Sequence, residues 1–269
     1  MSVALERPAA PSTVLGRPHV RHGLLIAANV VGVLAFLWPF LLPTVAQEAA
    51  ENHKGDGPWL LLAFGLILGA LLLLELGRGG LGPKTIALLG VLGAAVVALR
   101  IPGFVFGFSA MFIVVLVAGN SFGPAFGFLL GTVGMFASGL FVGGLGPWLP
   151  FEMVAFGWVG AGAGLLPHGE RWRTRLLWLA GYGVLTGYLY GAVMNLWSWP
   201  FVTDGTPIAW DPSASFDENL RHYATYYAVT SFVWDSFRAV GNALLVLVLG
   251  KPLLQALDRA ARRMHLDVS

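Results

Sequence analysis

Residues 104–142 read FVFGFSAMFIVVLVAGNSFGPAFGFLLGTVGMFASGLFV, and no charged side chain interrupts this stretch. A bilayer core about 30 Å thick is crossed by roughly 20 apolar helical residues. The stretch is therefore long enough for two crossings, and Gly119-Asn120-Ser121 marks a turn between them. We predict membrane spans over 104–118 and 122–142.

The rest of the chain repeats this pattern. Apolar runs bounded by Gly, Pro or charged residues predict six further spans, over 23–42, 59–76, 85–99, 151–166, 176–197 and 223–249. The spans over 85–99 and 104–118 are short enough to be re-entrant or strongly tilted. We therefore predict an all-α fold, a polytopic membrane bundle of about eight transmembrane helices.

The composition excludes most other classes of protein. Of the 269 residues, 57% are hydrophobic and only 11% are charged, whereas soluble domains carry about a quarter charged residues. These values exclude a soluble enzyme and a disordered chain. The chain has no cysteine, and its six histidines lie in predicted loops or tails. We therefore predict no metal site and no cofactor, and the net charge of +2 does not indicate a nucleic-acid partner.

The basic residues predict the orientation. If the N-terminus is cytoplasmic, most of the 16 Lys and Arg residues lie in cytoplasmic segments, as the positive-inside rule requires. We therefore predict a multi-pass plasma-membrane protein with both termini in the cytoplasm. Its regions are a cytoplasmic tail over 1–22, two additional N-terminal helices within 23–83, a six-helix bundle over 84–250 and a basic cytoplasmic tail over 251–269.

Small residues recur at every fourth position in three spans, a spacing that allows close helix packing in lipid. The three ladders are Gly90, Ala94 and Ala98; Gly123, Gly127 and Gly131; and Gly183, Gly187 and Gly191. Each ladder is explained either by packing inside the bundle or by docking of another membrane protein. The first ladder is the docking candidate, because its span is apolar all round and has no polar group that would line a pore.

Ionisable residues in or beside the spans are candidate binding residues, because charges are costly in lipid. Asp235 and Arg238 share a helix face and form either a packing ion pair or part of a ligand site. Asn242 continues that face. Arg100 either anchors in the lipid headgroups or reaches a ligand. Glu152 either caps its own helix or contacts a ligand.

Aromatic residues cluster at the predicted outer face, whereas an interfacial belt would occupy both faces. This asymmetry predicts an outward-facing pocket with apolar walls and a few polar groups. The candidate ligand-binding residues are Arg100, Trp148, Glu152, Asn195, Trp199, Tyr226, Trp234, Asp235 and Arg238. The sequence shows no phosphate-binding loop and no clear inverted repeat, so we expect another protein to supply the energy for any transport.

About two-thirds of the chain, from Lys84 to Arg263, resembles the substrate-binding S component of energy-coupling factor (ECF) vitamin transporters. Four features carry the resemblance: the Gly90/Ala94/Ala98 ladder, GNSFGPAFG at 119–127, GPWLP at 146–150, and a last helix with Asn242 followed by Gly-Lys-Pro and an Arg-rich tail.

The resemblance implies a six-helix bundle that is not an enzyme. It implies capture of a vitamin from outside and association with a transmembrane coupling subunit and two cytoplasmic ATPases. The coupling subunit would contact Gly90, Ala94 and Ala98, and the bundle would topple in the membrane lipid to deliver the ligand inward. The two additional N-terminal spans depart from this pattern, and would shield the docking face or contact a further partner.

The substrate is less determined. The aromatic rim and the long outer loop suit a bulky ligand, and similarity to one subgroup suggests a cobalamin-type compound, with thiamine, riboflavin and other vitamins left open. Two functions of other classes remain alternatives. One is an intramembrane or lipid-modifying enzyme that uses Asp235 and Arg238, and the other is a purely structural membrane partner.

Overall fold

The computed structural model describes residues 18–42, 83–101, 103, 109–142, 144–168, 171–202 and 206–263. Over these ranges the chain forms eight α-helices and one short 3-10 helix, with no β-strand. This is the all-helical membrane bundle that the hydropathy pattern predicts. The predicted second span, 59–76, and the first part of the predicted fourth span, 104–108, lie outside the described residues.

The described helices coincide with most of the predicted spans. They are α1, Pro18–Leu41; α2, Pro83–Arg100; α3, Met111–Phe122; α4, Pro124–Val142; α5, Leu149–Leu165; α6, Trp172–Ser198; the 3-10 helix, Trp199–Phe201; α7, Phe216–Thr230; and α8, Phe232–Arg263. In the described part of the chain, three helical stretches are long and apolar enough to cross a membrane: Pro124–Val142, Trp172–Phe201 and Phe232–Arg262. Shorter apolar stretches lie in α1, α3 and α5.

The structure differs from the prediction over the eighth span. Residues 223–249 do not form one helix, because the chain breaks at Ser231 between α7 and α8. The first helix is capped at its start by the Ser215 side chain, which accepts a hydrogen bond from the Glu218 backbone N–H. Hydropathy missed the break because α7 is amphipathic and its apolar residues merge with those of α8.

Helix α3 is the centre of the bundle. All twelve of its residues are buried, and it packs against α2, α4, α5, α6 and α8. A helix that is apolar all round is expected in such a position. The predicted turn at 119–121 is still helical, and the chain turns instead at Gly123, whose φ of 89° lies in the region that favours glycine.

Two of the three small-residue ladders pack inside the bundle. Where α4 crosses α5, a Cβ added to Gly127 would overlap the carbonyl oxygen of Gly160. Where α6 crosses α8, a Cβ at Gly187 would lie 2.6 Å from the Ala239 Cα. Both helix pairs therefore approach at a distance that larger side chains would prevent.

The third ladder is different, because Gly90, Ala94 and Ala98 on α2 are all exposed. A Cβ added to Gly90 would meet no atom within 4 Å among the described residues. The described residues thus leave this face of the bundle open.

Helix α1 is packed onto α5 and α6. The Trp158 indole N–H donates to the Asn29 side-chain oxygen at 2.5 Å, and Phe36 packs edge-on against Phe151 at 5.1 Å between ring centroids. Gly32 lies against Val154. This described part of the additional N-terminal region therefore adds to the bundle without covering the exposed ladder on α2.

Candidate functional site

The end of the bundle predicted to face outward, here called the outer end, contains the C-terminus of α2 and the start of α5. Arg100 at the end of α2 forms an ion pair with Glu152 in the first turn of α5, at 3.3 Å. The same guanidinium donates to the Ser138 hydroxyl at 3.2 Å and contacts the Met135 sulfur at 3.0 Å. Arg100 therefore lies among α2, α4 and α5, and Glu152 joins two helices.

A second ion pair lies where α6 meets α8. Arg238 donates to Asp235 three residues earlier, so the helix face predicted from the sequence does carry a pair. The Tyr227 hydroxyl donates to the other oxygen of Asp235 at 2.9 Å. Arg238 also donates to the Gly187 carbonyl at 3.1 Å. Asp235 is only 2% exposed, and the engagement of both its oxygens favours a packing or binding role over that of a general base.

Three buried rings lie beneath these charges. The Arg238 guanidinium lies 5.7 Å from the ring centre of Phe112 and 5.2 Å from that of Tyr190, within the range of cation–π attraction. Phe112 packs edge-on against Phe156 at 4.9 Å and against Tyr190 at 5.3 Å. These rings come from α3, α5 and α6 and form an apolar floor.

We name Arg100, Glu152, Asp235 and Arg238 the outer polar cluster. Arg238 is close enough to Glu152 for an electrostatic interaction between the two ion pairs. Two positive and two negative groups balance one another, which lowers the cost of holding them in a low-dielectric bundle. The cluster therefore combines charged groups with a floor of three buried aromatic rings packed edge-on, and a few polar groups beside apolar side chains are the composition expected of a small-molecule site.

Aromatic residues from α5 and α6 pack together beside the cluster. Trp148, one helical turn before Glu152, packs edge-on against Trp197 of α6 at 6.2 Å. Phe151 also contacts Trp197, at 5.9 Å. Asn195 lies about one turn before the end of α6, and its side-chain amide donates to the Ser231 hydroxyl at 2.8 Å.

Three other predicted residues have different surroundings. Trp199 is 2% exposed and donates its indole N–H to the Ile208 carbonyl at 2.8 Å, so it holds the outer loop in place. The Tyr226 hydroxyl lies 3.5 Å from that of Ser198. Trp234 is 59% exposed, and the structure does not bring it into the cluster.

Sequence reasoning missed several residues of the site. Tyr227 looks in the sequence like any other tyrosine near the outer end, but its position one turn before the Ser231 break and eight residues before Asp235 places it beside that carboxylate. Ser138, Phe112 and Tyr190 carry no local signal, because a single hydroxyl or ring in an apolar helix is usually core. Asn242 continues the face of Asp235 and Arg238 on α8: it donates to the Gly183 carbonyl at 3.0 Å, one turn from the Gly187 carbonyl that Arg238 contacts, and so ties α8 to α6.

A second buried polar network lies at the opposite, inner end of the bundle. Arg175 at the start of α6 donates to both oxygens of Asp258 on α8, at 2.6 and 3.1 Å. Its Nε also donates to the Asn120 side chain at 2.7 Å. Asn120 in turn donates to the Ala163 carbonyl of α5 at 3.2 Å. One arginine therefore links α3, α6 and α8, and through Asn120 also α5.

The described residues contain no group of three or more His, Asp or Glu side chains arranged to hold a metal ion. Among the described residues, two ion pairs join different helices, Arg100 with Glu152 and Arg175 with Asp258, and a third, Asp235 with Arg238, lies within α8. The chemistry of the outer polar cluster is accordingly that of binding through charge, hydrogen bonds and aromatic surface.

One protein-family profile matches the chain. Its description is ECF transporter, substrate-specific component, and it covers residues 84–250, which includes α2 to α6, α7 and most of α8. No curated protein and no solved structure matches the chain.

Proposed function

Because the chain belongs to the family of ECF transporter substrate-specific components, we propose that it captures a vitamin or related micronutrient at its outer end and hands it inward with partner subunits. Membership of the family makes the chain a membrane subunit that determines substrate choice in a transporter, not an enzyme. The proposal adds where the ligand binds, which class of ligand it is and how the partners dock.

The observation that carries the proposal is the outer polar cluster above its aromatic floor. The two ion pairs converge from α2, α5 and α8 on rings supplied by α3, α5 and α6. A ligand would exchange hydrogen bonds with the charged groups, and its apolar part would pack against the partly exposed Trp148. The ligand-binding residues are proposed to be Arg100, Trp148, Glu152, Asp235 and Arg238, with Asn195, Trp199 and Tyr226 supporting the rim.

For the ligand we propose a cobalamin-type compound. Two features beside the cluster support this choice: Trp148 and Trp197 provide aromatic surface there, and the loop between α6 and α7 is long enough to border a bulky molecule. Thiamine and riboflavin are the smaller alternatives to be compared with it.

For the docking of the partners we propose the exposed small-residue face of α2. Gly90, Ala94 and Ala98 would let a helix of a transmembrane coupling subunit approach closely, and two cytoplasmic ATPases would act through that subunit. The openness of this face and the packing of α1 on α5 and α6 support the assignment. We further propose that the protein lies in the plasma membrane with both termini in the cytoplasm, in line with the basic residues of its inner segments.

Binding and transport can be tested separately. The purified chain should retain or bind one compound from a panel of cyanocobalamin, thiamine and riboflavin, as seen by native mass spectrometry and by titration calorimetry. Cells that carry the chain should take up that compound only when the coupling subunit and ATPases are also present. Uptake that persists without the ATPases, or no binding to any vitamin, would contradict the proposal.

Docking has a matched pair of variants. Gly90→Leu places a bulky side chain on the proposed docking face, and Gly181→Leu does the same on α6, where a Cβ would likewise meet no described atom within 4 Å. Only Gly90→Leu should prevent co-purification with the coupling subunit, while ligand binding by the isolated chain remains. Equal retention of the partner by both variants would place the docking face elsewhere.

A further inference from the structure

Helix α7 is attached to the bundle by tyrosine hydroxyl groups. Tyr223, Tyr226 and Tyr227 lie three and four residues apart, which places them on one helix face. Tyr223 donates to the Ala192 carbonyl of α6, Tyr227 donates to Asp235 of α8 at 2.9 Å, and Tyr226 lies 3.5 Å from the Ser198 hydroxyl. Three phenol groups thus connect this helix to the ends of two others.

Little apolar burial supports these contacts. Asn219 is the one residue of α7 that is buried, whereas all twelve residues of α3 are. Phe216 and Val229 are 79% and 73% exposed. A helix held mainly by hydrogen bonds separates from its support more readily than one held by a packed apolar face, because burial of apolar surface is the larger stabilising contribution.

The two ends of α7 differ in how they are held. At its start, Asn219 donates to the Asp211 carbonyl at 2.6 Å and His222 contacts the Ala209 carbonyl at 3.0 Å, so the helix carries part of the outer loop with it. At its end, the helix stops at Ser231 and the chain turns directly into α8. Ser231 is therefore the point about which α7 can rotate.

We propose that α7 is a lid over the outer polar cluster, and that the Tyr227–Asp235 hydrogen bond is the contact that holds it closed. This inference rests on the proposed function, because it makes Tyr227 a positioning residue for ligand entry. Asp235 then has two alternative partners besides Arg238: the Tyr227 hydroxyl when the lid is closed, and a donor group of the ligand when the lid is open.

The exchange conserves the hydrogen bonding of a buried carboxylate. Loss of the Tyr227 hydroxyl without replacement would leave one oxygen of Asp235 without its donor, which is costly in a buried position. A ligand that supplies a donor removes this cost, so it favours the open lid by its differential affinity for that state. Arg238 remains paired with Asp235 throughout.

Lid opening can be measured without any ligand. The chain has no cysteine, so Ser198→Cys introduces a single thiol beneath Tyr226, and its reaction with a charged, membrane-impermeant thiosulfonate reports the open fraction. Adding Tyr227→Phe should raise the modification rate about tenfold, the effect of losing a hydrogen bond to a charged group.

The control is Tyr188→Phe in the same Ser198→Cys background. Tyr188 also loses a phenol hydrogen bond, to Ser236 at 3.1 Å, but this bond joins α6 to α8 and leaves α7 untouched. The thiol at position 198 should therefore react at the same rate with Tyr188→Phe as without it. The lid proposal would be wrong if the thiol reacted equally fast with and without Tyr227→Phe, or if Tyr227→Phe and Tyr188→Phe raised its reaction rate equally.

A second arm separates the lid from the proposed function. Cysteines at Ser198 and Tyr226 are joined by a bis-maleimide that contains a cleavable disulfide, which holds α7 closed. The vitamin of the panel that binds the unmodified chain is then used as the probe. Its rate of binding should fall when α7 is cross-linked and should recover when the disulfide is reduced. If no vitamin binds the unmodified chain, the proposed function fails and the lid is judged by the thiol rates alone. If a vitamin binds equally fast with α7 cross-linked, the lid is wrong and the proposed function stands.

Discussion

The inner network around Arg175 gives a stability prediction that can be worked out in detail. Arg175 is 7% exposed, and its charge is balanced by two hydrogen bonds to Asp258. Asp258→Ala removes both bonds and leaves a buried guanidinium with its hydrogen bond to Asn120 and its cation–π contact with Trp172. Removing one partner of a buried pair costs about 3–5 kcal/mol.

That loss corresponds to a large thermal shift. For a domain of 150–250 residues, each kcal/mol moves the melting temperature by about 2–4 °C, so Asp258→Ala should lower it by about 6–20 °C. The assay is thermal unfolding in detergent, followed by tryptophan fluorescence. Exposed Arg173, two residues before Arg175 on the same helix, provides the control, since Arg173→Met should change the free energy of unfolding by about 0.5 kcal/mol or less.

The decisive comparison is the double variant Arg175→Met, Asp258→Leu. It removes both charges together, so no uncompensated charge stays in the bundle, and apolar replacements of a buried pair are often close to neutral. The double variant should therefore be more stable than Asp258→Ala. The Arg175–Asp258 pair does not hold the helices together if Asp258→Ala has the same melting temperature as the control Arg173→Met. The same conclusion follows if the double variant is the least stable of the set.

Four further predictions follow from the described contacts. Gly127→Val should lower the free energy of unfolding by about 3 kcal/mol or more, since its side chain would overlap the Gly160 carbonyl; a small change in chemical denaturation would place α4 and α5 further apart. Arg100→Met should weaken binding of the panel vitamin about tenfold or more, because Arg100 belongs to the outer polar cluster. Trp234→Phe should leave the binding affinity unchanged, because Trp234 is outside the cluster. Titration calorimetry measures both affinities, and a larger loss with Trp234→Phe than with Arg100→Met would place the ligand site elsewhere. Trp158→Phe should loosen the packing of α1, because it removes the hydrogen bond from the Trp158 indole to Asn29. Limited proteolysis should then cleave the chain faster between α1 and α2, while α2 to α8 stay folded. An unchanged rate of cleavage would contradict this role of the contact. Hydrogen bonds from the Ser213 hydroxyl and backbone N–H hold the Asp211 pKa below its ordinary 3.8, so this interaction stabilises the outer loop above pH 3.8 and is lost as the pH falls through the lowered pKa. The protection of residues 206–215 against hydrogen exchange, measured relative to the intrinsic exchange rate at each pH, should fall in that range in the native chain but not in Asp211→Asn, and identical profiles would contradict the assignment.

Local features of the structure could be predicted from the sequence. Asp235 and Arg238 are three residues apart, so helical periodicity alone pairs them. The small residues at every fourth position likewise predicted three close-packing faces, and two of them are internal. Such predictions succeed because the residues concerned lie within one or two turns of the same helix.

Long-range features could not be predicted in the same way. Arg100 and Glu152 are separated by 52 residues, and each was a candidate by itself, without any indication that they meet. Arg175 was counted among the basic residues that set orientation, and its burial depends on Asp258, 83 residues further along the chain. The break at Ser231 was hidden because the tyrosines that hold α7 to the bundle look like ordinary interfacial aromatics in the sequence.

The position of α3 restricts the route by which cargo could travel. Its twelve buried residues fill the axis between the helices that supply the outer polar cluster, so a molecule bound there has solid protein beneath it where a channel would need a lumen. Passage straight down the middle would require unpacking the most tightly enclosed helix of the described bundle. We therefore expect the ligand to leave through the same opening by which it entered. We expect the subunit itself to tilt in the membrane, so that this opening faces the other compartment.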